Sequence, residues 1–253
     1  MLILLPPSEG KSAPEGGNPT RKLSFPELGK PRTQVWNALI AMCKHEPQTA
    51  AKNLGLGVTQ LDEVATNIHL AKSKCGPAID VYTGVLYEAL DAYSLNARTR
   101  TKLNKTAAIS SALFGLVRPL DLIPPYRLSG NSTVTSLTSL PVVWREASSA
   151  VIAASAGPII DMRSQTYVAL GPIPETCYER AITLRVSHEK NGKRSVVSHF
   201  NKATKGALVR SLMLNSKTPK NTNEFLAALT TLGYEWEISE PKKGPALLDL
   251  ITH

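Results

Sequence analysis

Three short apolar runs, each ending directly in a polar or proline-bearing loop, constrain the fold of this chain more than any other feature. The first is Leu2 to Leu5, followed at once by PPSEGKS. The second is AAISSALFGLV, followed by RPLDLIPPYRLSG, and the third is PIIDM at Pro158 to Met162, followed by Arg163, Ser164, Gln165 and Tyr167. A continuous apolar run of this length reads as a strand buried on both faces, which calls for helices on either side of a sheet. Segments with helical spacing lie between the runs: Pro31 to Glu46, Ala78 to Tyr93, about Val142 to Ala154 around Trp144 as amphipathic filler, and a helix beginning near Asn201. AITLRVSHE and RSVVSH flank an Asn-Gly pair, a strong hairpin signal, so part of the sheet is expected to be antiparallel. LGYEWEIS alternates like a last strand near an edge, and the tail PKKGPALLDLITH shows no clear pattern. The expected fold is one α/β (mixed α+β) domain with a central mixed sheet flanked by helices.

The stretch from Ser110 to Gly130 carries the first candidate site. Pro119, Pro124 and Pro125 fix φ and remove backbone donors, so Arg118, Asp121, Tyr126 and Arg127 are delivered by a stiff loop at a strand exit. Such a loop is a common place for ligand contacts, and the same residues would serve equally as a structural staple, with Arg118 paired to Asp121. The loop after Leu5 offers Ser8, Glu9, Gly10 and Lys11, resembling half of a phosphate loop without the full pattern. Ala13 to Pro31, rich in Gly and Pro, reads as an irregular surface excursion.

In the helix from Asn201, steps of 100° place Lys202 and Lys205 on the arc of Leu208, Val209, Leu212 and Met213, with Arg210 to one flank. Lysines pointing inward near a helix start suit a bound anion, and snorkelling to the sheet edge is the plainer alternative. TAAKNLGLGVTQLDEVATNIHL, within residues 47–72, offers two helices about a short LGLG, the look of a helix-hairpin-helix whose Gly55 and Gly57 let backbone N–H groups approach DNA phosphate. An ordinary helical hairpin with a glycine cap reads the same way. The aromatic stripe of Tyr82, Leu86, Tyr87 and Leu90 reads as core, and the basic stretch from Arg98 to Lys105 as a solvated helix end.

The chain has 253 residues, and 29 Lys and Arg against 20 Asp and Glu give a net charge of +9, which favours nucleic acid or other anionic partners. Cys43, Cys75 and Cys177 show no CxxC, and the five histidines show no ligand spacing, so neither a disulfide framework nor a metal site is signalled. The opening apolar run is too short for a signal peptide core, and no run approaches the ~20 residues of a membrane span. The expectation is a cytoplasmic monomer, without membrane attachment, metal or cofactor.

Taken together, MLILLPPSEGK, DVYTG, FGLVRPLDLIPPYRLSG, EKNGK and HFNKATKGALVR resemble, in order and spacing, the YaaA family of peroxide-stress proteins over nearly the whole chain. RPLDL followed by PYR is the specific element. The resemblance implies a helix-hairpin-helix, a positively charged cleft, binding of double-stranded DNA, and protection from peroxide and its iron-driven damage. It maps the family's basic residues onto Lys11, Arg118, Arg127, Lys202, Lys205 and Arg210, and its polar ones onto Ser8, Asp121, Tyr126, Ser164 and Tyr167. The chain departs from the family after its third strand, where Asp161, Arg163 and Thr166 replace an Asn and a Ser-x-Glu-Tyr block. It departs again in its longer Ser8-Glu9-Gly10 turn. An enzyme acting on a nucleobase or nucleotide in the same cleft is the alternative, with Glu9, Asp121 and Tyr126 as candidate acid and base groups.

Overall fold

The structure, a computed structural model, describes residues 1–15, 22–57, 60–190, 193–195 and 198–253. In chain order its strands are β1 (Leu2–Leu5), β2 (Gly76–Pro77), β3 (Ala107–Ser111), β4 (Gly115–Val117), β5 (Leu122–Ile123), β6 (Ile159–Asp161), β7 (Ala181–Lys190), β8 (Lys193–Ser195), β9 (Glu235–Ser239) and β10 (Ala246–Thr252). Its α-helices are α1 (Gly29–His45), α2 (Pro47–Asn53), α3 (Asp62–Ile68), α4 (Ala78–Val81), α5 (Val85–Leu90), α6 (Ala97–Thr106), α7 (Leu140–Ala153), α8 (Gln165–Val168), α9 (Ser198–Leu214) and α10 (Thr222–Thr231).

A parallel core runs in the order β3, β1, β6, β7, β10, and the antiparallel strands β4 and β9 close its two edges. The first apolar run falls on β1 and the third on β6, while the second is not one strand: it turns back on itself after β3 and returns as the antiparallel β4, all of these residues being buried. Their continuous apolar character follows from cover on both faces. One helical group packs α1 against α2, α3 and α7, and another packs α9 against α5 and α6. The chain leaves β1 for β3 on one side and later returns to β6 on the other. The carboxyl end of β1 is therefore a topological switch point, the place where open α/β sheets hold their ligands.

Two glycines permit close approaches that set this arrangement. A Cβ on Gly206 would lie 2.1 Å from the Leu86 carbonyl oxygen, so α9 meets the backbone of α5 directly. Gly115, at φ +72°, leaves room for the Trp144 ring, whose Nε1 donates to the Ala112 carbonyl at 2.9 Å. Trp144 is fully buried, a core residue and more than amphipathic filler. The basic stretch on α6 is likewise more than a solvated end: the Lys102 ammonium donates to the carbonyls of Leu212, Met213 and Asn215 and closes the C-terminus of α9.

Two other expectations are corrected. Ala78 to Tyr93 is not one helix, because Gly84 at φ +94° separates α4 from α5 and re-aims the chain. The patternless tail forms β10, which lies between β7 and β9, so LGYEWEIS supplies the edge strand but not the last one. Within residues 47–72 stand the short helices α2 and α3, with Gly55 at φ +66° after the first, while Val58 and the Asn191-Gly192 turn lie outside the described residues. Among the described residues no helix is long and apolar enough to cross a membrane.

Candidate functional site

A cleft of about 940 Å³ opens at the switch point. Its walls are the loop after β1 (Pro6 to Gly10), residues 83–87 at the start of α5, Ser129 to Asn131, Met162 to Tyr167 after β6, Thr183 to Arg185 on β7 with Leu247 on β10, and Asn201, Lys202 and Lys205 on α9. The strand-then-loop pattern of the sequence thus delivers two of these walls, and the inward stripe of α9 delivers a third. Ser8 braces its loop by donating to the Gly10 carbonyl at 2.6 Å and accepting the Thr83 N–H at 3.0 Å. The Tyr87 hydroxyl fixes the same loop by donating to the Pro6 carbonyl at 2.7 Å.

Lys205 is a deeply enclosed cation of the cleft, at 9% exposure, and its amine donates to the Met162 carbonyl at 3.1 Å. Burial pushes it down to about 8, against a smaller opposing pull from Asp161. Asp161 is itself held by Arg163, with bonds of 2.8 Å from Nε and 2.6 Å from Nη2. Lys202 stands exposed at the rim, as does Ser164, while Tyr167 is half-buried and its hydroxyl accepts the Gly130 N–H at 3.2 Å. Asn201, one turn before Lys205, has its side-chain oxygen buried with no partner among the described residues.

Behind the Ser8 to Lys11 loop lies a second cluster. The half-buried Lys11 bonds the carbonyls of Ser8 and Glu9 at 3.1 and 3.2 Å, and its amine sits 4.3 Å from the centre of the Tyr126 ring. Burial, then the Arg127 charge, push it down to about 7, with Glu63 and Glu9 opposing. The Tyr126 hydroxyl bonds those of Tyr82 and Ser111 at 2.8 and 2.7 Å, and burial pushes its phenol well above the ordinary value. Arg127 reaches the exposed Glu9 at 3.7 Å, while its buried Nε has no partner among the described residues.

The remaining candidates do not line the cleft. Asp121 is a staple: its carboxylate accepts the Arg118 N–H at 2.8 Å and the Ser24 hydroxyl at 2.7 Å, together with the Ser24 N–H. The Arg118 guanidinium donates to the Ala107 carbonyl at 2.9 Å and stacks 4.8 Å from the Phe25 ring centre, so the expected Arg118 to Asp121 contact is made by backbone and not by side chain. Arg210 closes the end of α5 by bonding the carbonyls of Leu90 and Asp91 and the Ser94 hydroxyl. Gly55 and Gly57 belong to the segment after α2 and do not reach the cleft. Glu9, Asp121 and Tyr126 therefore do not converge on one point, because the second is bonded to Ser24 and the third sits in a buried hydroxyl chain. Sequence reasoning passed over Asn201, Arg163 and Tyr87. The signal for Asn201 was its place one turn from Lys205 on the same helical face.

The chain has close relatives. The model of the peroxide stress protein YaaA family matches residues 1–240. A UPF0246 protein of Streptomyces coelicolor is 41% identical over 259 residues, covering 100% of this chain and 99% of that one. UPF0246 proteins of Corynebacterium glutamicum and Corynebacterium efficiens are 39% and 38% identical, covering 92% and 96% of this chain and 93% and 97% of theirs. With the motifs in order along nearly its whole length, the chain belongs to the peroxide stress protein YaaA family.

Proposed function

We propose that this chain is a DNA-binding protein of the peroxide stress response, which lays the duplex backbone across the mouth of its cleft and limits iron-driven damage there. The observation that carries this reading is the charge of the cleft lining: Arg163, Arg185, Lys202 and Lys205 against the single acid Glu9, among the described residues. Arg163 and Arg185 are partly neutralised by Asp161 and Asp249, so Lys202 at the rim and Lys205 at the floor carry most of the attraction. The volume suits one nucleotide-sized unit and not a duplex, so the double helix rests outside and only an extruded unit enters. The glycine turn after α2 is a further backbone contact for phosphate in this reading.

Duplex binding measured by fluorescence anisotropy across a salt series tests it. Affinity should fall with a log–log slope near −0.9 for each phosphate neutralised, and Lys202→Ala should lower the slope by about one. Absence of duplex binding at low salt refutes it. A second reading, chemistry on a nucleobase or nucleotide, is favoured by the unpartnered Asn201 oxygen in the cleft, an acceptor suited to a polar ligand.

A further inference from the structure

Lys205 combines three features that a plain anion grip does not require. Its amine makes one bond, to the Met162 carbonyl, and no ion pair among the described residues. It lies at the floor of a cleft with room for a single nucleotide unit. One turn earlier on the same face of α9, the Asn201 side-chain oxygen is buried and unpartnered, an acceptor waiting for a donor. The charged and titratable groups around it are Asp161 at the end of β6, Arg163 and Tyr167 after it, Arg185 on β7, Tyr87 on α5, Lys202 on α9 and Glu9 in the loop after β1. Asp161 is occupied by Arg163, so no carboxylate pins the amine as a salt-bridged ammonium.

Resting on the DNA-binding reading, we propose that Lys205 captures an aldehyde presented in the cleft, the ring-opened C1′ of an abasic site in DNA, as a covalent imine. Loss of a base leaves the deoxyribose in equilibrium with its open aldehyde, and such lesions are a product of oxidative damage. The nitrogen lone pair of the neutral amine attacks C1′, and the carbonyl oxygen takes up a proton to give a carbinolamine. Nitrogen releases a proton to solvent, the hydroxyl leaves as water with a second proton from solvent, and a C=N double bond remains. No oxidant or reductant enters the step. Asn201 accepts a hydrogen bond from the carbinolamine or sugar hydroxyl, and the enclosure of the cleft slows hydrolysis of the imine. At pH near 7.5, an amine at about 8 is about one quarter unprotonated, against about one part in a thousand for a lysine at 10.5. Even after allowing for the lower intrinsic nucleophilicity of a weaker base, Lys205 should react roughly tenfold faster than an exposed lysine.

The test uses the full chain, a duplex bearing one abasic site, and cyanoborohydride, which reduces the imine to a stable amine. A duplex with a tetrahydrofuran analogue, which has no aldehyde, serves in parallel as a binding control by anisotropy. The expected result is a denaturation-resistant adduct that peptide mapping places on Lys205, lost at least ~tenfold in Lys205→Arg that melts like the parent protein. Binding of the analogue duplex with no adduct, or with adducts spread over exposed lysines, overturns the imine and leaves the DNA-binding reading standing. Binding of neither duplex overturns both.

Discussion

Asp121→Ala separates a staple from a site. In the structure the carboxylate accepts the N–H and hydroxyl of Ser24 and the N–H of Arg118, tying the segment before α1 to the turn after β4. Truncation leaves two backbone donors and a hydroxyl without their acceptor, in a half-buried place where water replaces part of what is lost. It also removes the negative charge that offsets burial of Arg32 and Arg118. Bonds to an ionised group contribute about 1.5–3 kcal/mol each in isolation, and with three sharing one partly hydrated carboxylate the loss should be about 3 kcal/mol. For a chain of this size that lowers the melting temperature by roughly 6–12 °C. Asp121→Asn, which keeps one acceptor oxygen, should lose about half as much. Thermal melting followed by circular dichroism reads the stability, and anisotropy on a duplex below the transition reads the site. Because Asp121 lies outside the cleft, affinity should hold within about twofold. An unchanged melting temperature with binding abolished would refute the reasoning and return Asp121 to the site.

The other predictions concern packing and pH. Gly206→Ala drives a methyl group against the Leu86 carbonyl, a backbone atom that cannot swing aside, so α5 and α9 must part; a loss of about 2–4 kcal/mol in denaturant midpoint measurements is expected, and a loss below ~0.5 kcal/mol would show that the helices are not in contact there. Lys11 at about 7 and Lys205 at about 8 lie below the 10.5 of a free lysine, so the unfolded chain binds more protons between those values and 10.5. Their contribution therefore makes stability rise with pH through that window and stay level below about 7. Lys205→Met should stabilise the fold at neutral pH and remove the part of the rise that begins near 8, as read from urea midpoints across the neutral to alkaline range. Lys102→Met strips three carbonyls at the end of α9 of their donor and should lower the melting temperature while leaving β1 and its neighbours intact, which hydrogen exchange would show.

The sheet was legible because burial on both faces leaves an unmixed apolar signature, as in Leu2 to Leu5. β10 was not: Asp249 interrupts its apolar run, and only the partners Arg185 and Ser187 across the ladder make that carboxylate tolerable inside a sheet. The inward set of Lys205 followed from helical phase alone, whereas Lys202, on the same arc, is exposed. Arg118 and Asp121 were ambiguous for a physical reason, since a charge that closes a turn and a charge that binds a ligand occupy the same kind of stiff loop. Arg210 resembled a cleft cation in sequence because nothing local shows that the carbonyl end of α5 lies beside it.

The position of β1 in the sheet also bears on how the molecule is made. Ile3 pairs with Ala107 on one side and Leu2 with Ile159 on the other, both more than a hundred residues away along the chain. Closing such loops is entropically slow, so β1 is expected to be seated late, after local helices have formed. The cleft stands at the end of that strand, which means that partly folded chains have no assembled cleft. Binding competence should therefore appear with the slowest refolding phase and never ahead of it.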